Sequence, residues 1–125
     1  MNPFKLIKSM FTSAPRLDPL DCIARVNAGE ALLIDVREAG EWHSGVAQHA
    51  VLLPLTDLTG SRAQWRPFLA NQIDREMLFY CKSGGRSAIA ARILAAEGFR
   101  TANVGSLDEW AAAGWPLVKP HAGKH

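Results

Sequence analysis

Cys81 stands where the apolar run Met77-Leu78-Phe79-Tyr80 gives way to Lys82-Ser83-Gly84-Gly85-Arg86-Ser87, and an alanine-rich helical pattern starts directly afterwards. That order places a thiol at a strand-to-helix turn. Such a turn aims backbone N–H groups and the positive end of a helix dipole at one point, where an anion is stabilised. Gly84 and Gly85 give the loop access to positive φ and let its amides approach a ligand, while Lys82 and Arg86 add fixed positive charge. Each effect lowers a thiol pKa, so the sequence predicts a nucleophilic thiolate at Cys81. The competing reading, a small apolar residue closing a buried strand, accounts for neither the glycines nor the cations.

Spacing then separates two chemistries. Four residues lie between Cys81 and Arg86. Cysteine phosphatase loops have five and enclose a tetrahedral phosphate; a loop one residue shorter has a smaller mouth and suits a terminal sulfur atom carried on the cysteine. Loop amides from residues 82 to 86 would stabilise that sulfur as an anion. Ser83 and Ser87 could donate hydrogen bonds to it, Lys82 would attract an anionic substrate, and Arg86 would brace the loop or meet the anionic donor.

The elements that must position this loop can be read from the apolar pattern. Short apolar runs at about 31–35, 51–53, 77–81 and 101–104 predict strands, separated by helical stretches and without hairpin turns, which favours a parallel α/β sheet covered on both faces. The helix after the loop is expected over Ser87 to Glu97, burying Ile89, Ile93 and Leu94, with Gly98 at its C′ position. Asp57 to Ala70 predicts another helix, irregular near Gly60 and Pro67. Leu17 to Val26 reads as an amphipathic helix with Asp18 near its start. Ligands of open parallel sheets bind beyond the carboxyl ends of the strands, where Cys81 falls.

The stretch Cys-Lys-Ser-Gly-Gly-Arg-Ser at 81–87 resembles the active loop of single-domain rhodaneses, sulfurtransferases that carry sulfur as a cysteine persulfide. Three further stretches are similar to the family's signatures: Leu33-Ile34-Asp35-Val36-Arg37-Glu38 followed by Glu41-Trp42 and Gly45; Ala50-Val51-Leu52-Leu53-Pro54-Leu55; and Asn103-Val104-Gly105-Ser106-Leu107 with Trp110 and Gly114-Trp115-Pro116. The likeness runs from about residue 17 to about residue 118. It implies a three-layer fold with a five-stranded parallel sheet between helices. It implies transfer of sulfane sulfur from a donor such as thiosulfate to cyanide in vitro or a thiol in vivo, through a Cys81 persulfide. In the family, the positions of Asp35 and Arg37 chiefly hold structure through hydrogen bonds and an ion pair, while Trp42 and Trp110 are core or rim aromatics. Two places depart from the pattern: Val46-Ala47-Gln48-His49 stands where His-Ile-Pro-Gly is usual, and Ser106 where a second glycine is common. Readings from other classes stay open, namely a sulfur carrier fed by a protein such as a cysteine desulfurase, and a small cysteine phosphatase or arsenate reductase.

Composition bounds the rest. A chain of 125 residues with 48% hydrophobic content fits one domain with a single core. Residues 17–120 are expected to form it, with 1–16 as an N-terminal extension and 121–125 as a flexible tail. Fourteen basic and twelve acidic residues leave a formal charge of +2, too balanced to argue for a nucleic-acid partner. The expected partners are a small anionic sulfur donor and a thiol acceptor, or a protein in either role. Apolar runs in the first sixteen residues are too short for a signal-peptide core, so a cytoplasmic setting is expected, with membrane contact by residues 1–16 the less favoured alternative. No cofactor is called for, and the histidines at 43, 49, 121 and 125 show no metal spacing. Cys22 is expected to pack in its helix; a resolving role would require it to approach Cys81.

Overall fold

The structure, a computed structural model, describes residues 14–72 and 74–120. Expectations for residues 1–13 and for the tail at 121–125 lie outside those residues. A 3₁₀ turn at Pro19–Asp21 is followed by α1 (Ile23–Asn27), β1 (Ala31–Asp35), α2 (Ala39–Trp42), β2 (Val46–Ala47), β3 (Val51–Leu52), α3 (Leu55–Leu58), α4 (Trp65–Leu69), β4 (Glu76–Cys81), α5 (Gly85–Ala96), β5 (Thr101–Ser106), α6 (Leu107–Ala112) and β6 (Leu117–Val118). The main sheet has the order β3-β1-β4-β5 and is parallel throughout. Among the described residues no helix is long and apolar enough to cross a membrane.

Strand alternation makes the three layers. Met77, Phe79 and Cys81 of β4 face one core with Leu58, Trp65, Ala90, Ala91 and Leu94. Leu78 and Tyr80, one residue out of phase, face the other core with Cys22, Ala102, Val104, Trp110 and Trp115. Both faces of the central strand are therefore dry, which is why β4 reads as an unbroken apolar run. Cys22 and Cys81 lie on opposite faces and both are free thiols. The sheet stands between them, which removes the basis for a resolving role of Cys22.

The main sheet has four strands, where the resemblance implied five. In the place of a fifth, Arg16 makes a single parallel bridge to Asn103, with the Asn103 amide donating to Pro15 O and the Leu17 amide donating to Asn103 O, both at 2.9 Å. Pro15 has no N–H to extend the ladder, and Pro19 opens the 3₁₀ turn just beyond, so pairing stops there. A second departure from the expected parallel pattern is the small antiparallel pair β2-β6, Val46 opposite Val118 and Ala47 opposite Leu117. It shapes the stretch in which the sequence leaves the family pattern. The Ala47 amide donates to Tyr80 Oη at 2.9 Å, Gln48 N donates to Pro116 O and Trp115 Nε1 to Gln48 O, while His49 takes a left-handed φ of 68°.

Three helix expectations are corrected. The helix expected over 57–70 is two helices, beginning at Leu55, because the Asp57 carboxylate accepts from the Gln64 and Trp65 amides and so starts a new helix. Pro67 is the third residue of α4, where its missing N–H costs no helical bond. Over 17–26 the chain forms the 3₁₀ turn capped by Asp18 and then the short α1. In α5 the buried face is Ser87, Ala90, Ala91, Leu94 and Ala95, whereas Ile89 is 40% exposed and Ile93 is only partly buried. Small residues win the sheet-facing positions because they let the helix axis approach β4 and β5 closely.

This packing predicts a contrast. Ile89→Ala should cost less than about 1 kcal/mol, while Ala91→Leu should cost about 1–3 kcal/mol by overpacking a filled interior. Urea denaturation of the two variants beside the wild type measures both; equal losses would contradict the burial pattern of α5.

Candidate active site

β4 delivers Cys81 to the carboxyl end of the sheet, and the chain then turns through Lys82 to Gly84 into α5. Gly84 is the N-cap of α5 at φ 95°, a left-handed conformation that a side chain would strain, and no side chain caps the helix. The sulfur fills that role. Sγ accepts from the Gly84 amide at 3.0 Å, from the Ser87 amide at 3.5 Å and from Ser87 Oγ at 3.4 Å. These N–H groups are the ones a helix start leaves without intrahelical partners. Gly85 is the first residue of α5 and has no positive φ, so only one of the two glycines works as expected.

Cys81 is 1% exposed, and that burial raises its pKa. The opposing hydrogen bonds outweigh it: the Ser87 hydroxyl, the Ser87 amide, and the amides of Ser83 and Gly84 together bring the thiol below its ordinary value. Ser83 thus acts through its backbone. Cys22 shows the reverse balance, its burial holding the thiol above the ordinary value despite Arg25. Hydrogen bonds, rather than the loop cations, are the leading favourable cause at Cys81.

Three residues of the site were given no role in it by the sequence reading. The first is Asn103 on β5. Its Nδ2 donates to Gly84 O at 3.1 Å, and its Oδ1 accepts from the Gly105 amide at 3.0 Å and lies 2.7 Å from Ser87 Oγ. The Ser87 hydroxyl has one proton to share between Asn103 Oδ1, Gly84 O at 3.1 Å and the sulfur. Asn103 therefore fixes both the peptide that shapes the loop and the serine that meets the thiol. Between Phe79–Asn103 and Cys81–Ser106 the register of β4 and β5 shifts by one residue. The shift falls beside Gly105, at φ 85°, where a Cβ would lie 2.3 Å from both Arg16 Nη1 and Glu109 Oε1. A side chain there would strain the backbone and push the ends of Arg16 and Glu109 aside.

The second is Glu41. Arg86 makes a bidentate pair with it at 2.6 and 2.9 Å. That pair, helped by the Glu38 amide, holds the Glu41 carboxyl at about 2 against an ordinary 4.5. The depressed value means that the pair is intact above about 4.5 and is lost only as pH falls through about 2. Arg86 thereby braces the loop, with its charge met by Glu41. Beneath it, buried Asp35 accepts from Arg37 N, Nε and Nη2 at 2.8 to 3.1 Å and from Trp42 Nε1 at 3.2 Å, and Arg37 Nη2 donates to Gly45 O at 2.6 Å. Trp42 is a partly buried brace of this ion pair, and Trp110 is fully buried, its Nε1 donating to Val104 O. A cavity of about 230 Å³ opens beside the loop, lined by Arg37, Glu41, Ser44, Lys82, Leu107 and Asp108, the last being the third residue given no role by the sequence reading. The lining reaches Lys82, next in the chain to Cys81; Cys81 itself is buried and does not line the cavity. Among the described residues no group of three or more His, Cys, Asp or Glu side chains could hold a metal ion.

Comparison with known proteins bears on the domain as a whole. The family model of the rhodanese-like domain matches residues 18–113. A sulfurtransferase of Allochromatium vinosum is 33% identical over 95 residues, covering 73% of this chain and 81% of that protein. Among solved structures, a rhodanese-related protein of Thermoplasma volcanium superposes with a TM-score of 0.69 at 25% identity, covering 83% of this chain and 97% of the other. A human single-domain sulfurtransferase gives a TM-score of 0.61 at 25% identity, covering 79% and 96%.

An ultraviolet titration of thiolate absorbance should resolve two steps, Cys81 below the ordinary thiol value of about 8.5 and Cys22 above it. Cys81→Ser should abolish the lower step. Ser87→Ala should move it up by about one pH unit, the worth of one hydrogen bond to a charged group, and Asn103→Ala should move it the same way. An unmoved step in both variants would mean that the loop amides hold the thiolate unaided.

Proposed function

The chain belongs to the rhodanese-like domain family, and on that premise we propose that it is a sulfurtransferase working through a persulfide on Cys81. The observation that carries the reading is the sulfur of Cys81 receiving the free amides at the start of α5. A site that stabilises a thiolate stabilises the persulfide anion and the charge that passes between them.

The exchange has two steps. The Cys81 thiolate attacks the outer sulfur of thiosulfate, a new S–S bond forms to Cys81, and the old S–S bond breaks with its electron pair leaving on sulfite. A nucleophilic acceptor, cyanide in the test tube or a thiol in the cell, then attacks the outer sulfur of the persulfide. That bond breaks and returns its electron pair to Cys81. The Ser87 hydroxyl and the amides of Ser83, Gly84 and Ser87 hold the anion at each stage. Lys82, exposed at the rim, draws anionic substrate inward. Arg86, with its charge matched by Glu41, acts by keeping the loop in shape. Asp35 and Arg37 support the strand end below.

Thiocyanate formation from thiosulfate and cyanide tests the reading. Wild-type protein should turn over, Cys81→Ser should lose nearly all activity, and Lys82→Ala should lose about two- to fivefold, as an exposed charge would. A folded, reduced wild type without turnover would shift the role to a carrier loaded by a protein donor, seen as a gain of about 32 Da on Cys81 after incubation with a cysteine desulfurase and cysteine.

A further inference from the structure

The charges around the cavity beside Cys81 are unequally committed. Arg37 is held by Asp35 and Glu41 by Arg86, so these two pairs cancel within the protein. Lys82 and Asp108 remain. Both are exposed, and among the described residues neither has a hydrogen-bond or ion-pair partner. They line the same cavity with opposite sign, one on the loop after β4 and the other on the first turn of α6, with Leu107 supplying an apolar wall.

A ligand that is only an anion meets Lys82 but also Asp108, and one that is only a cation meets the converse. A molecule carrying both charges satisfies both. At about 230 Å³ the cavity is smaller than the ~300–1,000 Å³ of pockets that take drug-sized ligands, and it suits a molecule, or the part of one, of amino-acid size. Resting on the sulfurtransferase reading, we propose that this cavity is the acceptor subsite and that it selects a small zwitterionic thiol, with its carboxylate toward Lys82, its ammonium toward Asp108 and its sulfur toward Cys81. The step balances without an added oxidant. The acceptor thiol releases its proton to solvent, its sulfur bonds to the outer sulfur of the Cys81 persulfide, and the bond to Cys81 breaks with the electron pair returning to the Cys81 thiolate. The product is a persulfide of the amino-acid thiol. Asp108 is thus a specificity residue for the second half of the reaction, besides being an acidic group in the first turn of α6.

The test loads Cys81 with sodium polysulfide, removes excess reagent and confirms one added sulfur by intact mass. Discharge is then timed with cysteine, with cysteamine, which lacks the carboxylate, and with 3-mercaptopropionate, which lacks the ammonium. Comparing each variant with wild type for one thiol cancels that thiol's own reactivity. Asp108→Asn should lower the ratio of cysteine to 3-mercaptopropionate rates about fivefold, and Lys82→Gln should lower the ratio of cysteine to cysteamine rates by a similar factor, about the worth of one ion pair at a protein surface. Both ratios unchanged within twofold would overturn the proposal, with the persulfide reading intact. Failure of Cys81 to load would instead overturn the persulfide reading beneath it.

Discussion

The structure is organised around the unpaired amides at the start of α5. Any helix leaves its first N–H groups without internal partners, and most proteins offer them a serine, threonine or aspartate oxygen. Here the cap residue is Gly84, which has no side chain to offer. The sulfur of Cys81, delivered by β4 from below, accepts instead. One interaction therefore starts a helix and sets the ionisation of a thiol. It also ties the site's chemistry to folding, because the amides are aimed only when α5 is packed on the sheet.

Two neighbouring strands stabilise that arrangement from either side. From β5, Asn103 grips the carbonyl of Gly84 and the hydroxyl of Ser87, and Gly105 leaves the space that the Arg16–Glu109 ion pair occupies. From the end of β1, the turn carrying Glu41 reaches Arg86. The buried Asp35–Arg37 pair fixes that turn by satisfying every acceptor of the carboxylate with the Arg37 side chain, its own amide and Trp42. Desolvating two charges is costly, so such a pair is a scaffold for direction more than a source of net stability. The cavity owes its near-neutral wall to these commitments.

The departure at Val46-Ala47-Gln48-His49 leaves this frame intact for a visible reason. Its backbone is held by β6, Pro116, Trp115 and the hydroxyl of Tyr80, and none of those bonds depends on the side chains usual there. Tyr80 carries weight in two directions. Its ring fills the second core, and burial beside Asp35 pushes its phenol well above the ordinary range, so it stays a neutral partner for the Ala47 amide.

Local residue order determined much of this protein. The apolar run of β4, the turn residues after Cys81 and the alanine-rich start of α5 are contiguous, so strand, loop and helix could be read in place, along with a depressed thiol pKa and the parallel α/β class. Tertiary structure decided what depends on distant residues meeting. Arg86 reads as a free cation until Glu41, far away in sequence, is folded against it. Asn103 reads as one polar residue in a strand until the pairing of β5 with β4 sets it against the Gly84 carbonyl. The fifth strand failed because two prolines broke its pairing, and Ile89 stayed exposed because close approach to the sheet favours alanine. Backbone conformation and helix-start chemistry are short-range and leave a pattern in neighbouring residues; ion pairing, strand register and packing distance are long-range, and a single sequence carries no direct record of which partner will arrive.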